Sequence, residues 1–564
     1  MTPMSSWKKT ADAVIDLIGR AQQNDGYINT FFTVKEPENR WTNLRDQHEL
    51  YCAGHLIEAA VAYYQVTGKR KFLEIVSAFA DYIASVFGTG EGQLQGYDGH
   101  QEIELALVKL YRVTGKEAYL SLSQFFIDER GKQPHFFDGE KKKRGEERPS
   151  WWRNNKHGVY SYHQAHQHVR AQEEAVGHSV RAVYMYSAMA DLAAETDDHL
   201  LKAACERLWQ NVTKRQMYIT GGIGSSEYGE AFTFDYDLPN DTCYTETCAS
   251  IGLVFWARRM LQLEARSDYA DVMERALYNG TISGMDLDGK RFFYVNPLEV
   301  WPQSCEIRND KKHVKPERQK WFSCACCPPN LARLISSIGH YIYSADEHQA
   351  FVHLYIGNES ELTIGNTLVK LKQTTNYPWN GDITLDVLLE TASEFTLALR
   401  VPGWCSQATL TINDEPISIE KLSKQGYVYL TRKWKDGDRI KWHFTMEVQR
   451  MKANPNVRTN ANRVALQRGP IVYCLEETDN GAGLPNISLP TRANLRAEFA
   501  TDLLGGVVTI KGDALRADEA RWSEKLYQPA PANKVKTEVT AIPYYAWCNR
   551  EPGEMLVWIH ETGI

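Results

Sequence analysis

At 564 residues the chain is too long for one ordinary hydrophobic core, so two to four domains are expected. Hydrophobic residues at 43% and charged residues at 24% fit a globular protein, and a net charge of −7 argues against a nucleic-acid partner. No run of about 20 apolar residues is present, so no membrane-spanning helix is expected.

The opening residues, Met1-Thr-Pro-Met-Ser-Ser-Trp7, lead into an amphipathic stretch rather than the apolar core and cleavage site of a signal peptide. Eleven cysteines, an odd number without a secretory signal, favour free or metal-bound thiols in a reducing compartment, so a cytoplasmic location is expected. Fifteen Trp and 29 Tyr would suit stacking on sugar rings, although most must serve the core.

To about residue 345 the pattern is helical. His55-Leu-Ile-Glu-Ala-Ala-Val-Ala-Tyr-Tyr64 and Ile103-Glu-Leu-Ala-Leu-Val-Lys-Leu-Tyr111 repeat apolar residues at steps of three and four. Each runs into the same stop, Val66-Thr-Gly-Lys69 and Val113-Thr-Gly-Lys116, whose glycine supplies a left-handed cap. Repeated helix pairs build an open solenoid or a closed α/α toroid. The long connection from Gly221 to Asp241 favours the toroid, with its loops gathered at one mouth. The run Lys141-Lys-Lys-Arg144 is flanked by Glu140, Glu146 and Glu147 and reads as a solvated loop.

Histidines recur at positions 48, 55, 100, 163, 166, 168 and 178. Several stand where a helix begins, as in Tyr97-Asp-Gly-His100 and Val176-Gly-His178. Imidazoles on the loop face of a toroid can hydrogen-bond sugar hydroxyls, yet any one alone is more often a satisfied helix-end residue. His163, His166 and His168 raise a second metal site only weakly.

The loop Ser225-Ser-Glu-Tyr-Gly-Glu-Ala231 and its acidic continuation bring Glu230 forward as a candidate proton donor, against the reading of a solvated acidic loop. Next come Glu246-Thr-Cys248 and Cys324-Ala-Cys-Cys327-Pro-Pro. Glu246, Cys248, Cys326 and Cys327 offer one oxygen and three sulfurs, a donor set suited to Zn2+. A purely structural zinc site and buried cysteines acting as small hydrophobes remain the alternatives.

After about Ile342 the period becomes two, in Phe395-Thr-Leu-Ala-Leu-Arg-Val401, Gly426-Tyr-Val-Tyr-Leu430 and Ile440-Lys-Trp-His-Phe444. Short strands at this spacing indicate β-sandwiches. The expected organisation is therefore a helical domain at 1–343, a β-sandwich at 344–447 and a second at 448–564.

These blocks together resemble the bacterial β-L-arabinofuranosidases of glycoside hydrolase family 127. Asp98-Gly-His-Gln-Glu, Gly177-His-Ser-Val-Arg, Gly229-Glu-Ala-Phe, Glu246-Thr-Cys-Ala-Ser, Tyr294-Val-Asn-Pro-Leu-Glu, Cys324-Ala-Cys-Cys-Pro, Arg400-Val-Pro-Gly-Trp and Arg468-Gly-Pro carry the likeness over essentially the whole chain. The resemblance implies a multidomain α + β chain with an (α/α)6 barrel catalytic domain followed by two β-sandwich domains. It further implies a retaining exo-glycosidase in which Cys326 is both nucleophile and zinc ligand, and Glu246, Cys248 and Cys327 complete the shell. Glu230 matches the general acid/base, and His48, His100, His178 and Tyr294 match residues that hold the arabinofuranose. The region before Asp25-Gly-Tyr27 is shorter than in the family, so a contact drawn from it is expected to be missing.

Retaining glycosidases usually pair two carboxyl groups. A thiol in the nucleophile's place is mostly protonated at neutral pH, and a bound zinc ion would answer that by holding it as thiolate. The expected activity is release of terminal β-L-arabinofuranose from plant-derived oligosaccharides. The alternatives are hydrolysis of another branched pectic pentose, and a zinc-stabilised carbohydrate-binding protein without catalysis. A small oligosaccharide is the expected partner, with neither nucleic acid nor membrane, and the β-sandwiches are expected to offer homodimer contacts.

Overall fold

The computed structural model describes residues 3–147, 151–152, 156–522, 525–529 and 533–563, and packs them as two compact units, 1–212 and 213–564. The helical region expected at 1–343 therefore contributes to both.

The first unit is built from helices α1 (Pro3–Ala21), α2 (Glu49–Thr67), α3 (Lys71–Val86), α4 (Ile103–Thr114), α5 (Glu117–Glu129), α6 (Ser179–Thr196) and α7 (His199–Asn211). The repeated stop has a common geometry. Gly68 and Gly115 both take a φ of 70°, and their N–H groups close on the carbonyls of Tyr64 and Tyr111 at 2.7 Å. Only glycine adopts that conformation cheaply, so the chain reverses at the same point in each repeat. Three pairs result, α2 with α3, α4 with α5 and α6 with α7, and the leading helix of each lies against the leading helix of the next. Of these, α6 is enclosed on all sides, whereas α2 keeps Cys52, Ala59 and Ala62 exposed. On α6 nearly every side chain from Ser179 to Ala193 is buried. The basic run differs from its expectation: Lys141 to Lys143 end a helix, Phe136–Lys143, and Arg144 pairs with the buried Glu140 at 2.9 Å and with Glu146 at 3.0 Å. Burial of Glu140, which also accepts from the Leu44 N–H, turns a nominal loop into an anchored helix end.

The second unit starts with irregular chain and helices α8 (Thr247–Leu263), α9 (Ser267–Arg275) and α10 (Cys327–Ser336), with α8 against α10. After the short strands Ala231–Phe232 and Glu299–Val300, the run of strands begins at Tyr343. One six-stranded sheet orders Asn358–Ile364, Thr367–Thr375, Asp382–Leu388, Asp438–Phe444, Ala408–Ile412 and Glu415–Pro416. A five-stranded sheet, centred on Ser393–Arg400, faces it across Val369, Leu371, Leu385, Leu397, Val428 and Ile440. Burial alternates residue by residue along Asp438–Phe444, as a strand with one covered face requires.

The Arg400-Val-Pro-Gly-Trp404 block fastens this sandwich to α9. The fully buried Arg400 guanidinium holds Asp271 at 2.6 Å and Glu274 at 2.5 Å, while Trp404 Nε1 and Tyr377 Oη also donate to Glu274. Removing one partner would strand a buried charge, a loss of about 3–5 kcal/mol.

Among the described residues, the last domain gives nine strands of a ten-stranded sheet, and Glu299–Val300 adds the tenth at its edge. A sandwich is the sequence expectation there, and the pairing adds closure. Arg463–Arg468 pairs Ile559–Thr562, and the ladder continues through Ile487–Pro490, Val507–Ala517, Lys534–Pro543 and Ile471–Glu476 back to Arg463–Arg468. Val464, Leu466, Tyr473, Leu475, Ile510 and Val539 fill the inside of this ring. The alternate residues Ala465, Val472, Cys474 and Ile542 form its outer face, which packs on Tyr218, Tyr244, Phe293, Val295 and Leu298. That outer face is the wall behind the chemical groups.

Candidate active site

In the second unit two helix starts converge. Glu246 is the residue before α8 and Cys248 lies in its first turn, while Cys326 precedes α10 and Cys327 opens it, with Pro328 and Pro329 in that first turn. Helix N-termini favour negative charge, so both segments suit anionic ligands. Pro belongs at such a start because its missing N–H would have no partner there.

The four donor atoms are mutually within 4.8 Å. Cys248 Sγ is 3.6 Å from Cys327 Sγ, Cys326 Sγ is 3.8 Å from Cys327 Sγ, and Glu246 Oε1 lies 3.4 Å from Cys326 Sγ and 3.8 Å from Cys327 Sγ. A tetrahedron with Zn–S bonds of about 2.3 Å has edges of about 3.8 Å. Glu246 is 1% exposed, and its Oε2 has no hydrogen-bond partner. A buried, unpartnered carboxylate oxygen among three thiols is costly in a protein alone and suits a cation. The residues fit a bound zinc ion.

The electrostatics agree. Burial first, then the neighbouring Cys326 and Glu230, push the Glu246 carboxyl well above its usual range. Burial raises Cys327 well above an ordinary thiol, whereas for Cys248 hydrogen bonds with Cys326 and Cys327 outweigh burial and bring it down to about 7. Anionic groups crowded this closely resist ionising together without a counter-charge.

Glu230 comes from a tight hairpin in which Ser226 and Ala231 are bridged. Gly229 and Glu230 both take left-handed backbone, at φ 74° and 53°. Tyr244 Oη donates to Glu230 Oε1 at 2.9 Å, and the donor atoms of Glu230 and Glu246 lie within 4.8 Å of each other. Tyr294 Oη is 3.2 Å from Cys326 Sγ. Burial, then the Glu246 charge, hold the Tyr294 phenol far above its ordinary range, so it stays a proton donor. Cys324 is exposed and outside the metal-fitting set.

The first unit has a different cluster. His48 precedes α2 in left-handed backbone, His100 sits ahead of α4, and His178 caps α6 by accepting from the Arg181 N–H at 3.4 Å. Ring centroids are 5.9 Å apart for His48 and His100 and 5.6 Å for His100 and His178. Tyr51 stands over His100 at 4.4 Å. Arg181 lies within the same assembly, its Nη1 donating to Gly99 O and contacting His163 Nδ1, both at 2.7 Å. Burial, then the Arg181 charge, depress His48 and, more strongly, His100, so both rings are neutral at neutral pH. Neutral imidazole accepts as well as donates, which suits hydroxyl recognition.

The sequence thus names His48, His100 and His178, which gather in the first unit, and Glu230, Glu246, Cys248, Tyr294, Cys326 and Cys327, which gather in the second. His163, His166 and His168 do not come together as a metal site among the described residues: His163 faces Arg181, and His166 lies 5.7 Å from His157. Tyr51, Arg181 and Tyr244 are additions. The quoted blocks held a signal for the second, since Arg181 closes Gly177-His-Ser-Val-Arg.

Comparison with known proteins identifies the family. Residues 1–340 match the model of the β-L-arabinofuranosidase GH127 catalytic domain, 349–446 that of the GH127 middle domain, and 448–560 that of the glycoside hydrolase family 127 C-terminal domain. The chain is 42% identical to a non-reducing end β-L-arabinofuranosidase of Bifidobacterium longum subsp. longum, covering 99% of this chain and 86% of that one. A crystal structure of a GH127 β-L-arabinofuranosidase from Geobacillus stearothermophilus T6 superposes with a TM-score of 0.97 at 64% identity, covering 99% of this chain and 87% of that one. A second solved GH127 β-arabinofuranosidase gives 0.87 at 39%, covering 100% and 85%. The fold and site define a glycoside hydrolase with a helical N-terminal region followed by two β domains. The chain belongs to glycoside hydrolase family 127, the β-L-arabinofuranosidases.

Proposed function

We propose that the chain is a retaining exo-hydrolase that removes terminal β-L-arabinofuranose from plant-derived oligosaccharides, with Cys326 as nucleophile and Glu230 as acid/base. The observation that carries this reading is the placement of a half-buried thiol, Cys326, between Glu246 and Tyr294 with Glu230 close by. The name of the Bifidobacterium relative supports the bond and the sugar end.

Cys326 Sγ attacks the anomeric carbon while the Glu230 carboxyl gives its proton to the departing glycosidic oxygen. A sugar–sulfur bond forms as the sugar–oxygen bond breaks. Glu230, now carboxylate, takes a proton from water, whose oxygen displaces the sulfur and returns Cys326. Tyr244 orients Glu230 through its hydrogen bond, and the Tyr294 hydroxyl steadies the thiolate. Glu246, Cys248, Cys326 and Cys327 would hold Zn2+, which when bound favours thiolate over thiol. His48, His100 and His178 bind sugar hydroxyls in this reading, and residues 1–343 act as the catalytic domain.

Metal analysis together with turnover of a chromogenic β-L-arabinofuranoside tests the proposal. Stoichiometric zinc and turnover of that glycoside are expected. Turnover confined to other pectic pentosides would overturn the substrate.

A further inference from the structure

The groups that hold Glu246 in place converge on one buried carboxamide. Asn296, 1% exposed, donates from Nδ2 to Thr245 O at 3.0 Å and to Thr247 Oγ1 at 2.9 Å. Its Oδ1 accepts from Ser283 Oγ at 2.8 Å, and its main-chain carbonyl accepts from Thr245 Oγ1 at 2.6 Å. Thr247 Oγ1 in turn donates to Phe293 O at 2.8 Å. Asn296 therefore grips the residue on each side of Glu246.

The grip works against the backbone. Thr245 has a φ of 40°, a left-handed value that a β-branched residue avoids, and it persists where surrounding contacts over-determine it. Glu246 is bridged antiparallel to Val295, and the Thr247 N–H closes on Tyr294 O at 2.9 Å. Close packing leaves no slack: a Cβ on Gly222 would meet the Thr245 side chain at 2.9 Å, and one on Gly284 would meet Thr247 at 2.5 Å. Tyr294, whose hydroxyl reaches Cys326, lies two residues from Asn296 on the same segment.

We infer that Asn296, supported by Ser283, is a positioning residue that aims the Glu246 carboxylate and the Tyr294 hydroxyl together at the Cys326 sulfur. This rests on the reading of Glu246 and the three thiols as zinc ligands. Partners one shell removed from a metal set ligand direction, and losing one typically weakens the metal by about 10–100-fold.

The test is competition for Zn2+ between a chromophoric chelator and the full-length protein, alongside the absorption spectrum of the Co2+-loaded protein. Asn296→Ala is expected to weaken zinc by about 10–100-fold and to shift the cobalt–thiolate bands, and Ser283→Ala to do both less. Asn279→Ala is the control. Asn279 is equally buried and bonded, to Arg275 O, Pro470 O and the Val472 N–H, but away from Glu246. It should lower thermal stability and leave zinc affinity and spectrum unchanged. Wild-type zinc affinity in both Asn296→Ala and Ser283→Ala overturns the inference, as does an equal loss in Asn279→Ala. If Asn296→Ala does not fold, Ser283→Ala decides. A wild-type protein that binds no zinc removes the metal reading and this inference with it.

Discussion

The two clusters use opposite electrostatics. In the first unit His48, His100 and His178 stand near one buried guanidinium, Arg181, and burial with that charge keeps His48 and His100 neutral. In the second, four potential anions, Glu246, Cys248, Cys326 and Cys327, crowd two helix starts, an arrangement that could hold a metal cation. On the proposed reading, the neutral rings bind hydroxyl groups without strong charge, whereas the crowded thiols supply a nucleophile. The contrast separates recognition from chemistry along the chain.

Substitutions in the second cluster should therefore act on turnover, and those in the first on binding. Cys326→Ser is expected to lower kcat by on the order of 10^4 or more, the scale reached when a covalent nucleophile is lost. A mild loss in steady-state kinetics would break the assignment. Glu230→Gln should cost about 10²–10⁴ in kcat, with partial recovery on substrates whose leaving group needs no proton. His100→Ala should instead raise KM by roughly tenfold, the loss of about one good hydrogen bond, with kcat less affected. A pure kcat effect there would blur the division.

The smallest effect is on stability against pH. The folded pKa values of His48 and His100 lie below the unfolded value of about 6.5. The unfolded chain then binds more protons below that pH, so these rings stabilise the fold fully above about 6.5 and progressively less as pH falls beneath it. Thermal melts between pH 7 and 5 should show a decline that is reduced in a His100→Asn variant.

The chemistry of the second cluster was legible because its donors are rare types at unusual spacing: Glu246-x-Cys248 and adjacent Cys326 and Cys327 have few structural uses. The histidines of the first cluster were legible because they mark helix starts. Tyr51 and Tyr244 were not, since nothing separates them from the other tyrosines until tertiary contacts give them neighbours, and Asn296, although inside the block Tyr294-Val-Asn-Pro-Leu-Glu, had no role until its hydrogen bonds were seen. The helical repeat could be read from two glycine stops. Closure of the last sheet could not, because the parallel pairing of Ile487–Pro490 with Ile559–Thr562 joins strands far apart in sequence and leaves no periodic trace. The basic run at 141–144 misled for a similar reason, its helix depending on a distant partner for Glu140, the Leu44 N–H.

The outer face of the closed sheet bears on how such a protein can be divided. Tyr218, Tyr244, Phe293, Val295 and Leu298, next to the catalytic groups, are covered by Ala465, Val472, Cys474 and Ile542, more than 150 residues later. A gene fragment ending after the first matched module would present those aromatic and aliphatic side chains to water as one adhesive patch. The three modules are separable as text and inseparable as matter, so the smallest inheritable version of this site includes its last β domain.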